Sequence, residues 1–260
     1  NLKQLGLAAA AYHDLHGCYP MGATLMAYPW VGIDFGHGAF VAMAPQFEQA
    51  ALYDAYNFLH AANSWPNSTT AGAVPRVLLC PSDGGVGPPY VYPTSFTVSH
   101  SSYAGCAGLF ARVPSFPWDA AALRSIAAVN ARCDGVFFAN SSVNVAQIVD
   151  GTGQTVLFGE RAHSRLPAAW SMHWQWWFKG DATVFFGWYP PNPFAKIDAE
   201  AVYDYPDALL YSTSSFHPGG SQFAFADGSA RFVKDSIDTM PFDGLGRPVG
   251  ISGDFWSYSQ

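Results

Sequence analysis

Phe216-His217-Pro218-Gly219-Gly220-Ser221-Gln222-Phe223-Ala224-Phe225-Ala226-Asp227-Gly228-Ser229-Ala230-Arg231-Phe232-Val233-Lys234-Asp235 reads as a β-hairpin near the end of the chain. Pro218-Gly219-Gly220 interrupts whatever precedes it, and Gln222 to Ala226 then runs with strand-like alternation. Asp227-Gly228 supplies the positive φ angles of a tight turn, and Ala230 to Lys234 returns as the second strand. His217 precedes this turn with nine residues between it and Asp227. An antiparallel pairing is thereby placed at one end of the fold.

Outward from the hairpin, helical signals come first and strand signals last. Leu2, Leu5, Ala9, Tyr12 and His16 recur at steps of three and four, which puts them on one face of a helix over residues 1 to 16, and Gly17 is a natural stop. Val41 to Asn57 is a second helical candidate, with Phe47, Ala50, Ala51, Tyr53 and Tyr56 as apolar contacts, and alanine-rich Trp118 to Asn130 a third. Residues 62 to 76 and 81 to 102 are rich in Pro, Gly, Ser and Thr and read as long loops. Val136 to Ala139, Thr155 to Gly159, Thr183 to Trp188 and the arms of the terminal hairpin are strand candidates. Helix first and antiparallel strands last is an α+β arrangement. With no internal repeat or low-complexity linker, residues 1 to 260 read as one domain.

Composition narrows the function classes. Charged residues make up 12% of the chain, about half of the roughly 25% usual in soluble domains. Aromatic residues reach 16%. A large aromatic core accounts for part of this, and rings covered by neighbouring subunits or glycans for the rest. A net charge of −7 with no Lys/Arg cluster argues against nucleic acid as a partner. No apolar run approaches the roughly 20 residues of a membrane span. Glu48, Glu160 and Glu200 are the only glutamates, and none sits in a paired-carboxylate motif. G-x-S-x-G, a phosphate-cradling glycine loop and H-E-x-x-H are all missing, so catalysis is a remote reading and none of the residues is assigned a catalytic role. His13 and His16 share a helix face but end the first helix rather than form a recognisable metal motif.

Further motifs arrive in order along the chain: Tyr12-His13-Asp14-Leu15-His16-Gly17-Cys18-Tyr19-Pro20, Leu79-Cys80-Pro81-Ser82-Asp83, Ser101-Ser102-Tyr103-Ala104-Gly105-Cys106, Asp134-Gly135-Val136-Phe137-Phe138-Ala139-Asn140-Ser141, Ile148-Val149-Asp150-Gly151-Thr152 and Gly159-Glu160-Arg161. Together with His217, Asp227 and Gly228 they resemble a large bacterial family of pilin-like proteins of unknown function, abundant in planctomycetes, with a C-terminal H-x9-DG motif. The resemblance implies a pilin-like fold: an N-terminal helix packed on an antiparallel sheet, with long loop insertions. Residues 1 to 16 would be the C-terminal half of the pilin helix, and 212 to 238 the H-x9-DG hairpin. Members of the family begin with a prepilin leader and a long apolar helix, and this sequence starts after that helix would have ended. Residues 162 to 211 form an aromatic-rich segment individual to this chain.

The function implied is that of a structural subunit of an extracellular or cell-surface filament, similar to type IV pilins and type II secretion pseudopilins, with the periplasmic side of the envelope as the alternative location. Its partners would be copies of itself, its membrane contact would run only through an N-terminal helix outside this chain, and no cofactor is required. The runner-up is a surface module that binds carbohydrate or cargo. An exported chain with an even number of thiols favours disulfides among Cys18, Cys80, Cys106 and Cys133, with Cys18–Cys80 and Cys106–Cys133 preferred among three pairings. Major pseudopilins carry calcium in a C-terminal loop, which makes calcium the candidate ion and Asp227, Asp235 and Asp238 weak candidate ligands. His217 and Asp227 are a further candidate pair, set against a packing role for the one and a turn role for the other. Asp83 reads as an Asx-turn and Glu160-Arg161 as an ion pair. Trp174, Trp176, Trp177, Trp188 and Tyr189 form a candidate contact to another subunit or to a glycan, set against burial as core. Asn67-Ser68-Thr69 and Asn140-Ser141-Ser142 fit the glycosylation pattern.

Overall fold

α1 spans Leu2–His16 and stops at Gly17, whose φ of 76° is the left-handed cap expected of glycine and whose N–H closes on the His13 carbonyl. Leu2, Leu5, Ala8 and Ala9 are buried on one side of it, and Tyr12 is half-buried. This computed structural model describes residues 1–28, 32–108, 133–166, 171, 174–187, 190–193 and 210–237. Among them the architecture is α+β.

The sheet beneath α1 has five strands in the order β7-β5-β6-β8-β9. They are β5 (Tyr103–Cys106), β6 (Val156–Glu160), β7 (Val184–Phe185), β8 (Gly220–Phe225) and β9 (Ala230–Lys234). All neighbours run antiparallel except β5 and β7. The β8–β9 hairpin has the expected form, with Phe223 opposite Arg231 and Ala224 opposite Ala230. Alternation along β8 divides its side chains between two cores. Ala224 faces α1, where a side chain on Gly6 would come within 3.7 Å of it, and belongs with Leu2, Leu5, Phe40, Phe137 and Phe158. Phe223 and Phe225 turn the other way and pack with Ala104 and Phe185. In the main core Phe158 stacks between Phe40 and Phe137, with ring centroids 5.6 and 4.8 Å apart.

Two small sheets lie outside this frame: β1 (Ala23–Tyr28) with β2 (Gly32–Gly38), and β3 (Tyr90–Val91) with β4 (Thr97–Val98). Gly22 lets the start of β1 run against Phe137, since a Cβ there would sit 2.2 Å from the Phe137 carbonyl. The helix expected over 41 to 57 is broken. Pro45 starts a 3-10 turn between α2 (Ala39–Ala42) and α3 (Ala50–Asp54), and Glu48 ends it at a φ of 65°. The expected loop 62 to 76 contains a short helix, α4 (Ser68–Gly72). Residues 136 to 139 form a bend and an isolated bridge rather than a strand. The candidate helix 118 to 130 lies outside the described residues.

Candidate functional site

Glu160 is the last residue of β6, between β5 and β8, and its carboxylate is almost wholly buried. One oxygen, Oε2, accepts from the Gln222 N–H of β8 at 2.8 Å. The other, Oε1, accepts from the Cys80 thiol at 3.3 Å and meets His217 Nε2 at 3.2 Å. The three candidate ligand atoms, one per residue, all lie within 4.8 Å of one another.

Each of the three residues is delivered by a separate segment with its own anchor. Cys80 follows a 3-10 turn over Arg76–Leu78, where the Leu78 carbonyl accepts from Ser102 N–H at 2.8 Å beside β5. Three residues on, the Asp83 carboxylate accepts from His163 N–H at 2.7 Å, Ser102 Oγ at 2.8 Å, Ser164 N–H at 3.2 Å and the Ser164 hydroxyl. His217 is fixed from its backbone, where its N–H donates to Ser215 Oγ at 2.8 Å and that hydroxyl donates to the Gly220 carbonyl. The cluster opens on a cleft of about 370 Å³ lined also by Asn1, Leu2, Lys3, Tyr103 and Gln222, at the head of α1.

Burial pushes the Cys80 thiol above its ordinary range, and the neighbouring Glu160 adds to this. Burial likewise raises the Tyr103 phenol. The thiol therefore lacks the activation of a nucleophilic cysteine, and the imidazole meets the carboxylate instead. A thiol, a carboxylate and an imidazole converging on a cleft can share protons or coordinate a cation.

The sequence-derived candidates distribute differently. His217 and Asp227 stand at opposite ends of β8, whose six residues separate them by about 20 Å at 3.3 Å per residue. Asp227 serves the turn, accepting from Ser229 N–H and pairing with Arg231 at 2.9 Å. Asp235 is back at the other end of the hairpin, where its N–H donates to the Gly219 carbonyl and Asn192 donates to its carboxylate at 2.9 Å. Asp227 and Asp235 therefore do not come together as calcium ligands, and Asp238 lies outside the described residues. Cys18, Cys80, Cys106 and Cys133 stand as thiols in place of the expected bridges. For Cys80 the local arrangement is a hydrogen bond from its sulfur to Glu160. Asp83 is a clamp between chain segments, in place of a local Asx-turn.

Of the aromatic candidates, Trp177 is fully buried, with Nε1 donating to the Ala73 carbonyl at 2.9 Å and Ser99 Oγ at 3.0 Å. It is core and no longer a candidate contact. Trp174 and Trp176 are half-buried, and Trp188 and Tyr189 lie outside the described residues. Asn67 is also buried, its amide bonded to the backbone of Asn57 and Ala61, which removes it as a glycosylation acceptor in the folded chain. Asn140 straps Leu25 of β1 through two hydrogen bonds of 2.9 Å.

Sequence reasoning separated the three members of the cluster, reading Cys80 as a bridge partner, Glu160 as half of an ion pair and His217 as a candidate partner of Asp227 or a residue packed beside the turn. The signal that joins them is their placement in three different motifs, each contributing one metal-ligating or titratable side chain. No curated protein matches the chain, and no solved structure does. The family model described as a protein of unknown function (DUF1559) matches residues 1–240, and the chain belongs to that family.

Proposed function

We propose that this protein is a pilin-like structural subunit of an extracellular or cell-surface filament, acting by assembly with copies of itself. The observation that carries the reading is a second apolar side on α1. One face packs on the sheet, while Leu7, Ala11 and Leu15, at four-residue steps, are exposed, Leu7 by 55% and Leu15 by 71%. An apolar stripe on a helix that already has its intramolecular partner is suited to packing against the same helix of a neighbour. The low charge of the chain supports the same conclusion.

Negative-stain microscopy of native material tests it. Ordered fibres are expected, and they should be lost in Leu7→Glu and Leu15→Glu variants that keep the unfolding midpoint of the unaltered protein. Dispersed single particles from native envelope preparations would overturn the proposal. A second reading, a surface module for carbohydrate, draws on the half-buried rings of Tyr90, Tyr92 and Trp176. Tyr92 meets Trp176 edge-on at 6.0 Å, and Trp176 stacks on Phe178 at 5.8 Å. Glycan binding without fibres would favour it.

A further inference from the structure

We propose that Cys80, Glu160 and His217 form a binding site for a zinc-class divalent cation, coordinated through the thiolate sulfur, a carboxylate oxygen and imidazole Nε2. The donor set is the first argument. One sulfur, one nitrogen and one oxygen suit a borderline-soft ion such as Zn²⁺, and suit calcium or magnesium poorly because those take oxygen donors.

Spacing is the second argument. A tetrahedral ion with bonds of about 2.0–2.3 Å holds its donors roughly 3.4–3.6 Å apart. The Cys80–Glu160 and His217–Glu160 separations are 3.3 and 3.2 Å, within a few tenths of that requirement. The third pair, Cys80 Sγ and His217 Nε2, lies within 4.8 Å, so two edges of the polyhedron are in place and side-chain rotation sets the third.

The surroundings are the third. Glu160 is oriented by the Gln222 N–H, and the His217 segment by Ser215, so the donors are held by bonds that coordination would leave intact. The cleft leaves a fourth position for water or a ligand atom. The ion would join three segments distant in sequence: the loop after Leu79, the end of β6 and the turn before β8. That gives the cysteine of one motif, the glutamate of another and the histidine of a third a single shared purpose. The site is independent of the filament reading, because all three donors come from this chain.

The test uses the untagged chain, freed of metal by chelator dialysis and titrated with Zn²⁺ in competition with a chromophoric chelator. One equivalent should bind, and Cys80→Ser and His217→Asn should each weaken binding at least about tenfold, the least expected when even an outer-shell partner is removed. Co²⁺ in place of Zn²⁺ should give a thiolate-to-metal charge-transfer band together with intense visible bands of tetrahedral coordination. If the variants fail to fold, the unaltered protein still decides, since bound Zn²⁺ should slow alkylation of Cys80 at least about tenfold while leaving Cys18 unchanged. Binding below one equivalent, a Co²⁺ spectrum without the thiolate band, unprotected Cys80 or a Cys80→Ser variant of undiminished affinity would each overturn the proposal.

Discussion

Glu160 and Arg161 are consecutive residues that turn away from each other. The Glu160 carboxylate meets Cys80 and His217, whereas the Arg161 guanidinium is fully buried and donates to the carbonyls of Ala182, Val184 and Leu210. In the orientation its neighbours require, the Gln175 amide oxygen accepts from Arg161 Nε at 3.0 Å. The pairing read from the sequence is replaced by two separate sites, as strand alternation demands of adjacent side chains. Burial lowers the guanidinium to about 9, against the opposing pull of Tyr211 and Asp181, and the carbonyl cage supplies the hydrogen bonds that burial takes from water.

Arg161→Lys should therefore not be conservative. A lysine ammonium cannot reach three carbonyls from two segments and Gln175 as well. A loss of roughly 3 kcal/mol is expected from the orphaned acceptors, read from the midpoint of urea unfolding. An unchanged midpoint would mean that the cage contributes nothing net.

Asp83→Ala removes the acceptor for two backbone N–H groups and two hydroxyls, at a site where Asp83 itself is 4% exposed. Buried donors left without partners cost about 1–3 kcal/mol each, and since the two hydroxyls can re-aim while the two backbone N–H groups cannot, the variant should lose about 2–6 kcal/mol. The clamp also positions the loop that carries Cys80. Alkylation of Cys80 should accordingly quicken in this variant before any change appears at Cys18.

Acid should weaken the fold through His37. Burial lowers this imidazole to about 4, and its ring lies edge-on against Phe58 at 4.9 Å. The unfolded chain takes up the proton at about 6.5. Stability held above that value is then lost as pH falls toward 4, because the unfolded state binds more protons throughout the window. The ring is only half-buried, so the loss should be about 1–3 kcal/mol. His37→Phe should flatten this part of the stability profile, and a variant with the unaltered slope would assign it elsewhere.

What could be read from the sequence depended on how local the determinants are. α1 and the β8–β9 hairpin were legible because their periodicity, the Gly17 stop and the Asp227-Gly228 turn are all contained in short windows. The β1–β2 hairpin was missed because Pro29-Trp30-Val31 offers no glycine or asparagine turn pair between its arms. β5 was missed for a similar reason, since Ala104 and Gly105 carry little strand propensity and pairing with β6 and β7 decides their state. The Cys80–Glu160–His217 cluster was the least legible feature. Its members are brought together only by the register of the five-stranded sheet and by the Asp83 clamp.

The aromatic segment supplies a comparison between neighbours. Trp177 is core and Trp176, beside it, is half-buried, with Lys179 above its ring at 5.9 Å. Trp177→Ala should cost about 3–5 kcal/mol as a cavity in a close-packed interior. Trp177→Phe keeps much of the volume but leaves Ala73 and Ser99 without their donor, which should cost about 1–2 kcal/mol. Trp176→Ala removes less buried area and should cost under about 2 kcal/mol. If this face meets another subunit or a glycan, the Trp176 variant should weaken assembly or binding while remaining folded at its ordinary midpoint range. Equal losses of stability in both alanine variants, with assembly unaffected by Trp176→Ala once the fold is restored by lower temperature, would confine the whole segment to the interior.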